Sequence, residues 1–139
     1  INTAPGLVGK EDIYFNQRER LFVEGSAPKT KGTASADYRR TKWNGGVRLN
    51  YFGELEAGTW SQLDDPNSPP QQYDSRVSTD VHVGFSLPRN LELTVGGVNV
   101  FDVQPTAQDP NETENGALWE NVQMGFNGAA YYVRLNWRM

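Results

Sequence analysis

Cysteine is absent from all 139 residues, which excludes disulfide frameworks, thiolate metal sites and cysteine nucleophiles while leaving every compartment open. No run of eighteen apolar residues occurs, so no helix is expected to cross a bilayer. Histidine is nearly absent as well. His82 stands alone, without a serine or cysteine partner at a recognisable motif, and reads as a structural residue rather than a base or ligand. Glycine-rich phosphate loops, HExxH and CxxC are also missing; neither an enzyme nor a cofactor is expected. Basic residues are the minority, 13 against 17 acidic. The stretch from Asp102 to Gly128 carries Asp102, Asp109, Glu112, Glu114 and Glu120 with no lysine or arginine, which argues against a nucleic-acid partner. The opening Ile-Asn-Thr-Ala-Pro-Gly lacks the charged and apolar regions of a signal peptide, and the chain is expected to be a piece of a longer protein.

What the sequence does have is alternation. Mean hydropathy is −0.67, yet strands that alternate apolar and polar residues keep a polar average even when one face sits in lipid, and about 9–11 residues then span the bilayer. Thr30 to Arg40 alternates weakly, Thr41 to Asn44 reads as a turn, and Val47 to Leu55 alternates cleanly. Gly58 to Asp74 reads as a long loop, since Asp64-Asp65-Pro66-Asn67-Ser68-Pro69-Pro70 cannot join a ladder. Arg76 to Leu87 has period two throughout. Pro88-Arg89-Asn90 then turns the chain into Leu91, Leu93 and Val95, where Gly96-Gly97 weakens the ladder or allows a bulge. Asp102 to Gly128 is a second long loop, and Ala129 to Met139 a closing strand.

These features predict an all-β fold: an antiparallel up-and-down meander of about five strands with both long loops at one end. Val47, Leu49, Tyr51, Val77, Val81, Val83, Phe85, Leu93, Val95, Val133, Leu135 and Trp137 should share one surface, with Arg48, Glu54, Asp80, His82 and Arg134 on the other. Residues 1–29 form a separate loop-like segment. Asn16 three residues before Glu19, with Gly25 beyond, marks a short helix over Gln17 to Glu24; a strand from Ile13 to Val23 is the competing reading. Alternation alone is compatible with a membrane barrel or with a soluble β-sandwich.

The closing stretch Gly125-Phe126-Asn127-Gly128 and Tyr131-Tyr132-Val133-Arg134-Leu135 resembles the last strand of TonB-dependent outer-membrane receptors. Leu93-Thr94-Val95-Gly96-Gly97-Val98-Asn99-Val100-Phe101-Asp102 is similar to the strand that these receptors end with an Asn-Leu-Phe-Asp-like motif. Weaker similarity runs through Pro5-Gly6-Leu7, Asn16-Gln17-Arg18-Glu19 and Tyr51-Phe52-Gly53-Glu54. Met139 stands where the family usually has phenylalanine, and Val98 where it often has asparagine. The resemblance implies that residues 30–139 are the C-terminal strands and loops of a large plugged barrel in the outer membrane of a Gram-negative bacterium. Residues 1–29 would be an external loop. Implied partners are the plug and the N-terminal barrel strands, TonB acting through a region this chain does not contain, outer-membrane lipid and the barrel assembly machinery. The cargo would be a ferric siderophore, haem, cobalamin or a glycan. Tyr131, Val133, Leu135, Trp137 and Met139 would form the assembly signal.

Within the loops, Trp60, Tyr73 and Trp119 offer stacking surfaces and Arg76 a donor for an anionic ligand. Asp109, Asn111, Thr113 and Glu120 have a calcium-loop-like spacing, but Glu114 occupies the turn position that needs glycine, and an acidic, solvated loop is the simpler reading. A function from another class, a soluble carbohydrate-binding β-sandwich, would use the same aromatics.

Overall fold

The computed structural model describes residues 5–138. After a 3-10 turn at Pro5–Leu7, two short helices follow, α1 (Glu11–Tyr14) and α2 (Gln17–Glu24). The helix reading of the second prevails over the strand because its ends are locally satisfied. Asn16 Oδ1 accepts the Glu19 N–H at 3.0 Å, and the Gly25 N–H closes on the Leu21 carbonyl at 2.7 Å. A Cβ at Gly25 would lie 2.7 Å from the Glu56 carbonyl, so glycine there also lets the helix end approach the segment that carries Glu56.

Seven strands follow: β1 (Lys31–Arg39), β2 (Trp43–Phe52), β3 (Leu55–Ala57), β4 (Gln71–Tyr73), β5 (Arg76–Leu87), β6 (Leu91–Val98) and β7 (Ala130–Trp137). Five of them make an antiparallel sheet in the order β1-β2-β5-β6-β7, and β3 pairs with β4 in a small sheet of its own. The chain is therefore all-β in its main body, with a five-stranded meander. Short turns join β1 to β2 and β5 to β6; the long connections and the helices gather at the opposite end.

Several boundaries differ from the expected ones. The first turn is Arg40 to Lys42 rather than Thr41 to Asn44, because Trp43 and Asn44 already pair with Phe85 and Gly84, and the Arg40 N–H closes on the Trp43 carbonyl at 2.8 Å. Strand β2 stops at Phe52 although the alternation runs on to Leu55. Gly53 is buried against Thr30, whose carbonyl accepts its N–H at 2.8 Å, and the chain turns out of the sheet there. Glu54 consequently lies outside the sheet and not on its polar face. The expected loop of residues 58–74 holds a 3-10 turn, Trp60–Leu63, and strand β4. No bulge forms at Gly96-Gly97, since both keep register with β5 and β7. These glycines instead seat the rings of Tyr132 and Tyr131, whose atoms lie 2.5 and 2.8 Å from where a Cβ would be.

The core sits in the loops and not on the sheet. Leu55, Ala57 and Tyr73 are buried with Val122 packed on them, and Met124 is buried nearby in sequence. The five-stranded sheet leaves its apolar face exposed, while side chains half-bury much of the polar face, with Ser78, Gly84 and Gly96 buried. Val47 opposes Val81 and Arg48 opposes Asp80, so the predicted apolar and charged sets do fall on opposite sides, Glu54 excepted.

Candidate functional site

The long-loop end is a cap tied together by side chains far apart in sequence. Arg18, the buried residue of α2, lies over the Trp60 ring at 3.9 Å and the Phe22 ring at 4.7 Å and pairs with Glu114. Gln123, 1% exposed, donates to the Gly53 and Asp74 carbonyls at 2.8 Å each. Trp60 donates to the Thr113 carbonyl at 3.4 Å, and Gln108 to that of Gln72 at 2.9 Å. Arg18 and Gln123 are contributors that the sequence pattern did not single out, because their partners lie on other loops and leave no local periodicity.

Of the residues expected to meet a ligand, Tyr73 does not offer a stacking surface. It is 1% exposed and its hydroxyl donates to Glu120 at 2.9 Å. Burial, then the Glu120 hydrogen bond and charge, hold its phenol well above the usual tyrosine range. Alternation along Gln71-Gln72-Tyr73 turns the ring inward, where it fills the cap. Trp60 and Trp119 remain exposed, although Arg18 covers one face of Trp60. Arg76 is half-buried at the start of β5, donating to Thr106 at 3.1 Å and lying 4.0 Å from Asp74.

The calcium-like set is not gathered around a cation. Asp109 Oδ1 accepts from the backbone and side chain of Asn111 at 2.9 and 3.0 Å. Thr113 donates to the Pro110 and Ala117 carbonyls. Glu120 is engaged by Tyr73 and by the Glu114 N–H. Among the described residues no group of three or more histidine, aspartate or glutamate side chains could hold a metal. With Glu114 in the glycine position, the loop spends its oxygens on its own backbone.

One bridge across the cap titrates. Ser61 donates to Glu112 through both its hydroxyl and its N–H, the latter at 2.9 Å, and these bonds hold the Glu112 carboxyl below its ordinary range. A depressed folded-state value stabilises the bridge above the ordinary glutamate range and is lost as pH falls through the folded value. The Ser61 amide should therefore lose hydrogen-exchange protection only as pH falls below the ordinary glutamate range, and Glu112→Gln should abolish that dependence; protection unchanged by either would refute the bridge.

On the polar face, one row crosses all five strands: Asp37, Gly46, His82, Gly96 and Tyr132 are successive register partners. A Cβ at Gly46 would collide with the Asp37 carboxylate and the His82 ring, so the glycines give the larger side chains room to lie along the sheet. His82 Nε2 is 3.9 Å from Asp37 Oδ1, and no serine hydroxyl bonds to the imidazole among the described residues. The row is a packed polar ladder without a nucleophile. Neighbouring charged groups are also engaged: Asp80 accepts hydrogen bonds from neutral donors, Asn50 at 3.0 Å and the Asn99 N–H at 2.9 Å, and Arg138 lies 3.8 Å from Glu92. Gly96→Val should displace the Tyr132 ring and cost about 1–3 kcal/mol, measurable as a lowered urea midpoint.

The apolar face is ordered along its height. Tyr38, Trp43, Phe85 and Trp137 stand toward the short turns, and the Tyr38 and Trp43 rings lie 5.1 Å apart. Tyr51 and Tyr131 stand toward the loops; Val47, Leu49, Val81, Val83, Leu93, Val95, Val133 and Leu135 lie between. From Trp43 to Tyr51 the strand runs about 26 Å, or about 20 Å in height at a barrel-like tilt. Of the expected assembly signal, Tyr131, Val133, Leu135 and Trp137 line this face at 73%, 71%, 63% and 65% exposure; Met139 lies outside the described residues. Comparison with protein-family models, with curated proteins and with solved structures finds no match to the chain.

Proposed function

We propose that the five-stranded sheet is a section of wall from an outer-membrane barrel, and that the chain belongs to a TonB-dependent receptor taking up a scarce nutrient such as a ferric siderophore, haem, cobalamin or a glycan. One observation carries the membrane part: an exposed aliphatic face, bounded by aromatics at two heights, backs onto a polar face of charged and hydrogen-bonded side chains. Water would penalise such a face, since contiguous apolar patches of a soluble surface rarely exceed a few hundred Å². Lipid would not, and an apolar band of about 25 Å between aromatic girdles is what a barrel presents to it. The receptor part rests on the resemblance of residues 93–102 and 125–135.

The β-sandwich alternative requires a second layer over this face, and among the described residues none covers it; β3 and β4 carry their own small core. Binding in the proposed receptor falls to the cap, with Trp60 and Trp119 as exposed rings. Trp119→Ala should weaken cargo binding by about 1–3 kcal/mol while leaving the amount of heat-modifiable protein in the membrane unchanged. Unaltered uptake by a Trp60→Ala/Trp119→Ala variant would remove the cap as the binding surface. Recovery of the parent protein as a monomer in plain buffer, with a cooperative thermal transition, would remove the membrane reading altogether.

A further inference from the structure

Charge is segregated along the strand direction. Carboxylates crowd the long-loop end, among them Glu54, Glu56, Asp74 and Asp109, and the chain as a whole carries a net charge of −4. The short-turn rim is the reverse: Arg39, Arg40, Lys42, Arg89 and Arg138 gather there, and the neighbouring carboxylate, Glu92, lies 3.8 Å from Arg138. Backbone bonds hold the two turns and the end of β7 in one rim, from the Ser86 N–H to the Lys42 carbonyl at 2.9 Å and from the Arg138 N–H to that of Asn90 at 3.1 Å. Arg89 and Asn90 both have positive φ, 64° and 58°, which makes a tight turn and keeps the Arg89 side chain at its tip. Arg40 Nε donates to the Tyr38 hydroxyl at 2.7 Å, beside the Trp43 ring. A guanidinium is thus held at the edge of the apolar face, and among the described residues its outer N–H groups have no acceptor. An open groove of ≈ 540 Å³ lies against the turns, lined by Arg39, Arg40 and Arg138 together with Asn44, Ser86 and the carboxylate of Glu92; Lys42 and Arg89 stand outside it.

We propose that this rim binds the phosphate headgroups of anionic phospholipids, with Arg40, Lys42 and Arg89 as donors and Tyr38, Trp43 and Trp137 at the acyl boundary beside them. The inference rests on the membrane-wall reading above and adds a partner to it. Guanidinium groups pair with phosphate in bidentate fashion, and basic residues near a negatively charged leaflet each strengthen association roughly fivefold at low salt. The adjoining aromatic and aliphatic band demands that the phosphate belong to an amphiphile, because free phosphate has no use for it. Nucleic acid is disfavoured by the acidic cap and the net charge.

The test uses the whole protein in phosphatidylcholine vesicles containing a minor fraction of acyl-brominated phosphatidylglycerol or, in parallel, acyl-brominated phosphatidylcholine, with quenching of tryptophan fluorescence as the readout. Phosphatidylglycerol should quench with an association constant at least about fivefold above that of phosphatidylcholine, and the preference should fade in high salt. Arg40→Gln/Lys42→Gln/Arg89→Gln should insert normally and bring the ratio close to one. Equal quenching of the parent by both lipids overturns the headgroup assignment and leaves the membrane reading standing. Absence of quenching by either lipid overturns both. Should the triple variant insert poorly, the salt dependence of the parent ratio decides: a preference that survives high salt is not carried by these charges.

Discussion

Val83→Arg should largely abolish stable insertion of the protein into a bilayer. Val83 lies in the middle of β5, opposite Gly45 on β2 and Val95 on β6, with Val133 of β7 next in the same row. An arginine facing lipid near the bilayer midplane costs about 2–4 kcal/mol in a barrel, a large share of a typical folding free energy of about 5–15 kcal/mol. The same substitution on an exposed face in water would change stability by less than about 0.5 kcal/mol. Thr33→Arg serves as the control, because Thr33 opposes Asn50 on the polar face and faces the lumen side of the proposed wall. Folding into lipid vesicles, followed by heat-modifiable mobility and by urea titration, separates the two. If Val83→Arg refolds with the parent's midpoint, the apolar face does not meet lipid and the membrane assignment fails.

Tyr73→Ala should dismantle the cap while leaving the sheet intact, a second large effect with a different readout. Tyr73 fills the core of the loop end and satisfies Glu120; truncating a buried aromatic costs about 3–5 kcal/mol. Tyr73→Phe keeps the ring and removes one hydrogen bond to a buried carboxylate, a cost of about 1–3 kcal/mol. The expected pattern is graded loss of hydrogen-exchange protection over residues 53–75 and 105–124, with insertion unchanged in both variants. The raised phenol value adds a pH signature. Neutral Tyr73 is favoured by the fold, so its contribution is complete below the ordinary tyrosine value of about 10 and is lost as pH climbs from there through the folded value. Cap protection should therefore fall in strong alkali in the parent, and Tyr73→Phe should remove that dependence. Cap protection equal in Tyr73→Ala and the parent would show that the loop end does not depend on this core.

Much of the sheet was legible in the residues because its determinants are local. A pleated strand sends neighbours to opposite faces, so Val77, Val81, Val83 and Phe85 announce one surface and Asp80 and His82 the other without reference to any partner strand. The cap of α2 is equally local: Asn16 and Glu19 lie within one turn. Local signals failed where contact replaced pattern. Tyr51, Gly53 and Leu55 continue the two-residue period of β2, yet the strand ends at Phe52, where Gly53 packs on Thr30, a contact the period does not encode. Tyr73 reads equally well as an exposed ring or a buried one, since a phenol suits either setting provided its hydroxyl finds a partner. Here the partner is Glu120, which the spacing of the acidic loop had suggested for a cation.

Read alone, the residues fix the strand class, the existence of two short turns and the separation of apolar from polar side chains, all consequences of backbone geometry over a few residues, while the helix at Gln17–Glu24 and the bounds of the first turn are settled by hydrogen bonds in the fold. Tertiary structure alone decided where the core lies and which loop residues are free to meet a ligand. Those depend on hydrogen bonds such as Gln123 to Gly53 and Arg18 to Glu114, formed between segments whose proximity exists only once the chain has folded.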